Sequence, residues 1–333
     1  MPKRSIELDY QIQPLALIEP IRIANHTFHE IPSLQVQLRN GLHLGRGEAT
    51  GVFFLNDDPD KMPEQLEPMR EALRMGLTRE RLRHCMPAGG ARNALDCALW
   101  DLEARESGRH VWQIAGLDAL RPLCTVFTLS IQDPEAMANR AINGMLKQAK
   151  ALKLKLAGDT AADIERVRAV RRVRPDAWIG VDANQSYTPD SIQALLPELV
   201  ACDVQVLEQP FARDRERDMS CVAFPLATAA DESCLDLLEL ETLPGLFDMV
   251  NIKLDKCGGL TEGLMMARRA RELGLKVMVG NMGGSSLATA PAFVLGQMCD
   301  VVDLDGPTIL AKDCSPAVCY QSGLVDCPQQ LWG

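Results

Sequence analysis

From Val111 to Gly333 the sequence contains no histidine; the five it has, His26, His29, His43, His84 and His110, all lie in the first third. Chemistry housed in the later two-thirds must therefore use Lys, Asp or Glu as its base and hard oxygen ligands for any metal. None of the 11 cysteines forms a C-x-x-C pair. That excludes the usual zinc-ribbon and thioredoxin signatures, and the scatter suits reduced core thiols in a cytoplasmic protein. Long apolar runs are missing too: stretches such as Leu287–Cys299 fall short of the ~20 residues a bilayer requires. Basic residues are in deficit, 35 Lys and Arg against 45 Asp and Glu, a formal charge of −10. With no dense basic run to offset it, a nucleic-acid partner is not expected. Met1–Arg4 is basic, but Glu7, Asp9, Gln11 and Gln13 follow where a secretory signal would need an apolar segment. A small-molecule substrate in the cytoplasm is the expectation, with no membrane partner and with a homo-oligomer compatible.

What is present is an ordinary globular composition, 47% hydrophobic and 24% charged over 333 residues. This is enough for two domains with a sizeable core. Residues 34–38 (Leu-Gln-Val-Gln-Leu) alternate apolar and polar, the mark of a half-buried antiparallel strand. Gly41, Gly45, Gly47 and Gly51 read as turns after it. Ala91, Ala94, Leu95, Ala98, Leu99 and Leu102 recur at helical spacing, predicting an amphipathic helix that ends near Gly108. The first ~115 residues thus form an α+β unit. From about Cys124 short apolar runs alternate with helical patterns: Val126–Ile131, Leu152–Leu156, Trp178–Asp182, Val204–Glu208, Leu226–Asp231, Met249–Leu254, Val277–Gly280 and Val301–Leu304. Asp133-Pro134-Glu135 and Thr188-Pro189-Asp190 each supply a capping residue followed by proline at the first helical position. Eight strands alternating with helices predict a (β/α)8-type barrel. A doubly wound sheet is the alternative, weakened by the absence of a Gly-rich phosphate loop after the first strand.

Barrel enzymes work where the C-terminal ends of the strands converge. The charged residues there form a series: Lys153 and Lys155 on strand two, Asp182 on three, Glu208 on four, Asp231 on five and Lys253 on six. From Lys155 onward they are spaced 27, 26, 23 and 22 residues apart, about one βα unit each. Singly, a strand-end acid is a helix cap and a strand-end lysine reaches solvent. In register, three carboxylates on successive strands suit an octahedral Mg²⁺ with open positions for substrate oxygens. Strands two and six face each other across an eight-stranded barrel, so their lysines flank whatever the metal binds. Lys153 and Lys155 point to the same side of one strand. Their mutual repulsion beside Mg²⁺ is expected to lower the ammonium pKa toward that of a usable base.

Lys153-x-Lys155, Asp182-Ala-Asn-Gln, Glu208-Gln-Pro, Asp231-Glu-Ser and Asn251-Ile-Lys253-Leu, with Gly47-Glu48-Ala49 and the helix Ala91–Leu102, resemble the enolase superfamily in its muconate-lactonizing-enzyme subgroup. That resemblance implies a modified (β/α)7β barrel over residues 116–308. Residues 1–115 would form an α+β capping domain, to which 309–333 return. Lys or His bases working with Mg²⁺ are the known chemistry of this superfamily. The lack of barrel histidines speaks against the mandelate-racemase-like subgroup. The resemblance implies an isomerase performing a 1,1-proton transfer at the carbon α to a carboxylate. Lys155 and Lys253 would be the opposed bases, Lys153 would tune Lys155, and Asp182, Glu208 and Asp231 would be the metal ligands.

Asp303-Leu304-Asp305 resembles the element with which dipeptide epimerases hold a free amino group; a strand-terminal turn is its alternative reading. The segment Leu15–Ile31 resembles the loop that closes over substrate. It offers His26, with Arg22 nearby, where Ala-Glu epimerases carry an Arg. The strand-seven loop, with Asn281 and Ser285, completes the expected substrate contacts, and with Asp303 and Asp305 it also resembles racemases of N-acylated glutamate. Dipeptide epimerase, N-acyl amino acid racemase and a lyase or cycloisomerase of the same superfamily are the readings left open. A catalytically silent barrel would have lost one of the charged positions, and none is missing.

Overall fold

The computed structural model describes residues 6–24 and 26–333; the basic start Met1–Arg4 lies outside them. The N-terminal unit is built on a long antiparallel hairpin, β1 (Glu7–Ile23) and β2 (His26–Asn40), extended by β3 (His43–Ala49). The expected alternation is present: Leu34, Val36 and Leu38 are buried, whereas Gln35 and Gln37 are only half-buried. The segment expected as the closing loop, Leu15–Ile31, is the distal half of this hairpin. Pairing continues from Leu15↔Ile31 to Ile23↔His26, with an irregularity between Ala16 and Ile21.

Two of the four glycines read as turns are not turns. Gly45 and Gly47 lie inside β3, and a Cβ there would sit 2.2 Å from the Ala98 carbonyl oxygen and 2.0 Å from that of Ala94. They let the helix Gly90–Ser107 lie directly on the strand. That helix ends at a left-handed Gly108, as its sequence predicts. Its face opposite β3 is buried as well, because it also meets the barrel. Asp96 accepts bonds from the Thr261 amide and hydroxyl at 2.9 and 2.6 Å, and Arg92 pairs with Glu262 at 2.8 Å.

After a short strand β4 (Leu123–Cys124), eight parallel strands follow: β5 (Val126–Leu129), β6 (Ala151–Lys155), β7 (Trp178–Asp182), β8 (Val204–Glu208), β9 (Ala227–Ala230), β10 (Met249–Lys253), β11 (Lys276–Gly280) and β12 (Val301–Val302). Each pairs with its sequence neighbour, the order of a barrel rather than a doubly wound sheet. The join between the first and last strands is made by side chains. The Thr125 hydroxyl accepts from the Leu304 amide at 3.0 Å, and the Asp305 carboxylate accepts from the Thr128 amide at 2.6 Å. Asp133 and Thr188 cap their helices as expected. Beyond the barrel, β13 (Cys319–Gln321) and β14 (Leu324–Asp326) form a small sheet with β4. The last residues reach the N-terminal unit: Trp332 Nε1 donates to the Arg46 carbonyl at 2.8 Å. Among the described residues no helix is long and apolar enough to cross a membrane.

Candidate active site

Parallel pairing sets the height of each strand-end side chain, and Asp182 and Glu208 are direct register partners. Together with Asp231 they form a buried group whose oxygens lie within 4.8 Å of one another. Three carboxylates at that spacing repel strongly, and lysines compensate them. Lys155 contacts Asp182 at 2.6 Å, and Lys253 contacts Asp231 at 2.6 Å. Lys153 reaches Glu208 at 3.2 Å, Asp182 at 3.6 Å and Asp303. Burial raises the Glu208 pKa to about 7, with Asp182 adding repulsion. For Asp182 burial acts the same way, but Lys155 and Lys153 outweigh it and hold the carboxyl below its usual range. Burial would lower Lys253, yet Asp231 and Glu208 override it and raise the ammonium; Lys153 is raised likewise by Asp303 and Glu208. Facing these carboxylates, Lys153 and Lys253 act as their counter-ions.

The donor set fits a hard divalent cation: three buried carboxylates, oxygen-only, with ammonium groups already supplying the opposite charge. Several supports of this group escaped the sequence reading. Lys256, 2% exposed, donates to Asp231 Oδ1 at 2.7 Å and to the Asn251 carbonyl at 2.9 Å. Asn251 Nδ2 donates to Glu208 at 2.7 Å. Asn184 Nδ2 donates to Glu232 at 3.2 Å, and burial raises the Glu232 carboxyl to about 8. A lysine just past a strand looks solvent-facing in sequence, whereas Asn184, Glu232 and Asn251 stand inside the motifs Asp182-Ala-Asn-Gln, Asp231-Glu-Ser and Asn251-Ile-Lys253-Leu, though with no role assigned there.

A cavity opens above the carboxylates, lined by Lys153, Lys155, Lys253, Asp231, Asn281, Asp303 and Asp305 among others. Five of the residues lining it hold a buried side-chain atom with no partner among the described residues: Arg140 Nε, Asn184 Oδ1, Glu232 Oε2, Asn281 Nδ2 and Asp303 Oδ1. Asp305 also lines the cavity, but its Oδ2 is committed to the Thr128 amide, and burial raises its pKa to about 7. Ser285 does not line the cavity. Its amide and hydroxyl bond Glu48, and its hydroxyl caps the helix Ser286–Gly296, because this loop fastens the barrel to the N-terminal unit. His26 is exposed, stacks edge-on against Phe28 at 4.3 Å, and lines a neighbouring cavity with His29, Asp57 and Asp58. The structure therefore brings together the three lysines, the three carboxylates, Asn281, Asp303 and Asp305, and leaves Ser285 and His26 outside.

Residues 6–116 match the mandelate racemase/muconate lactonizing enzyme N-terminal domain, and residues 136–305 match the enolase C-terminal domain-like family. The chain belongs to the mandelate racemase/muconate lactonizing enzyme family of the enolase superfamily. It is 38% identical over 304 residues to the L-Ala-D/L-Glu epimerase of Escherichia coli, covering 91% of this chain and 94% of that protein. It is also 38% identical over 249 residues to an N-acetyl-D-glutamate racemase of Pseudoalteromonas, covering 74% of this chain and 78% of the other. Among solved structures, a dipeptide epimerase of Enterococcus faecalis complexed with Mg and L-Leu-L-Tyr superposes with a TM-score of 0.90 at 26% identity, covering 97% of each chain.

Proposed function

We propose that this chain is a Mg²⁺-dependent dipeptide epimerase, an isomerase that moves a proton between the two faces of the carbon α to a substrate carboxylate. The observation that carries the reading is the pair of lysines on strands two and six of the barrel. Each is paired with a different one of the three carboxylates, and both line one cavity. The relatives named above support the same chemistry.

Asp182, Glu208 and Asp231 would hold the metal. Bound there, Mg²⁺ supplies the positive charge that offsets the carboxylates and stabilises the negative charge developing on the substrate. The α-proton is a weaker acid than a lysine ammonium by on the order of 20 pK units, ~27 kcal/mol, so that stabilisation dominates the barrier. One of Lys155 and Lys253 in its neutral form takes the α-proton, and the other, as ammonium, returns one from the opposite side. Lys153 sets the charge beside Lys155. Asp303 Oδ1 accepts from the substrate amino group, and Asn281 Nδ2 donates to a substrate carbonyl. The unpaired cysteines, all 11 free, support a reducing cytoplasmic setting. Residues 1–115, 116–308 and 309–333 are taken as capping domain, barrel and returning segment, and a homo-oligomer is compatible with this arrangement.

N-acyl amino acid racemisation is the second reading, favoured by Asp305 being committed to the barrel join and Asp303 Oδ2 to Lys153. Incubation in D₂O with Mg²⁺, a dipeptide panel and the N-acetylated forms tests both. A dipeptide epimerase gives one-dalton gains with inversion on free-amine substrates and loses them on chelation. Asp303→Asn should then cost about 2–3 kcal/mol, roughly 30- to 150-fold in kcat/KM. If N-acetylglutamate outperforms every dipeptide and Asp303→Asn is silent, the second reading replaces the first. A changed substrate skeleton would point to a lyase or cycloisomerase.

A further inference from the structure

The cavity above the carboxylates has four cationic side chains, and three of them are paired with the site's own acids. The fourth is Arg140, near the end of the helix Pro134–Ala141 that follows the first barrel strand. Its Nη1 pairs with Glu19 of the hairpin. Its Nε is buried and has no hydrogen-bond partner among the described residues. A buried N–H of a permanent cation is costly to leave unmet, so an acceptor is called for at that position. The guanidinium presents two edges. Glu19 occupies Nη1, and the Nε side remains for a planar carboxylate approaching edge-on. Around it the hairpin and the following loop supply apolar wall: Ile21, Ile23, Phe28, Phe53 and Phe54. An aliphatic stem ending in a carboxylate matches that combination.

We infer that Arg140 is the specificity determinant of this site and selects substrates whose epimerised residue carries an acidic side chain. His26, expected in that role from the sequence, lines the neighbouring cavity instead. The inference rests on the epimerase reading and deepens it. It holds for a dipeptide and for an N-acyl amino acid alike, because it concerns the side chain and not the amino end. The competing role for Arg140 is a plain latch, holding the hairpin over the barrel through Glu19.

The test compares kcat/KM for L-Ala-L-Glu, L-Ala-L-Gln and L-Ala-L-Leu, and for N-acetylglutamate against N-acetylglutamine, in the Mg²⁺-loaded wild type, Arg140→Gln and Glu19→Gln. Glutamine is isosteric with glutamate, so the Glu/Gln ratio reports charge recognition alone. Wild type should favour Glu at least about tenfold, and Arg140→Gln should cost Glu about 10- to 100-fold while Gln and Leu stay within about threefold. Glu19→Gln breaks the ion pair but leaves the guanidinium, so it should keep the preference for Glu. If Arg140→Gln lowers every substrate equally, or if the Glu preference disappears in Glu19→Gln, Arg140 is a latch and the inference is overturned. If wild type exchanges the α-proton of none of these substrates, the epimerase reading itself fails and takes this inference with it. Exchange with an unmoved Glu/Gln ratio removes only the role of Arg140.

Discussion

In the proposed mechanism Lys155 and Lys253, chemically alike, would serve different faces of one carbon, which makes them separable. Each Ala variant should abolish inversion, while the surviving lysine still exchanges the α-proton of a single enantiomer with solvent deuterium. Mass spectrometry of separated enantiomers reads this directly, and near-normal inversion by both variants would sink the two-base scheme. Lys256 makes a different demand. It is buried against Asp231 and two backbone carbonyls, so Lys256→Met strands those acceptors and should cost about 3 kcal/mol or more in urea denaturation. A loss under ~1 kcal/mol would show that Lys253 alone balances Asp231. The contrast marks what the sequence discloses at this scale. Asp182, Glu208, Asp231, Lys155 and Lys253 were legible because they recur at one βα unit's spacing and end apolar strands. Lys256 and Arg140 were not, because each sits in a helix where a charged residue ordinarily meets water. Asp303 and Asp305, two residues apart on one segment, were read as a pair; both line the cavity, but Asp303 pairs with Lys153 and Asp305 joins the barrel ends.

Strands and helices were largely readable because burial imposes its period on them. Trp178–Asp182 and Val204–Glu208 coincide with their predicted limits, since both are short apolar runs that end on a charge. Glycine was misread in β3 for a physical reason: its two uses, permitting positive φ and permitting close approach, look the same in sequence. Gly41 has φ +59° and open space around it, whereas Gly47 lacks the positive φ but has the Ala94 carbonyl where a Cβ would go. Gly41→Ala should therefore cost about 1 kcal/mol. Gly47→Ala, blocked by rigid helix backbone, should cost about 3 kcal/mol or more and loosen the sheet from its helix. Thermal unfolding of the two variants measures both, and equal costs would contradict the assignment. The hairpin Glu7–Asn40 was taken in part for a loop because its distal half projects over the barrel mouth. There Ile21, Ile23, Phe28 and Ile31 line the cavity, so no sheet-on-core alternation betrays the strands.

At the scale of the whole molecule, the seam between the N-terminal unit and the barrel carries two buried carboxylates. Asp96 of the helix binds Thr261, and Asp255 of the barrel accepts the Thr50 and Gly51 amides at 3.0 and 2.9 Å. Burial raises Asp96 to about 6 and Asp255 to about 7, above the 3.8 expected unfolded. Between those limits the folded chain binds more protons than the unfolded one, so stability falls as pH rises. The contribution is complete below about pH 4 and lost as pH passes the folded values of 6 to 7. Asn at position 255 can accept the same two amide bonds through its oxygen without burying a charge. Each pKa unit is worth about 1.4 kcal/mol, so Asp255→Asn should stabilise the protein by about 2–4 kcal/mol at pH 8 and flatten its stability profile between pH 5 and 8. Near pH 4, where the native carboxyl is already protonated, the variant and wild type should converge. Urea denaturation at a series of pH values decides it. A variant that is less stable than wild type at pH 8 would mean that the charge on Asp255 holds the two units together, through the pull of an anion on the two amides it accepts.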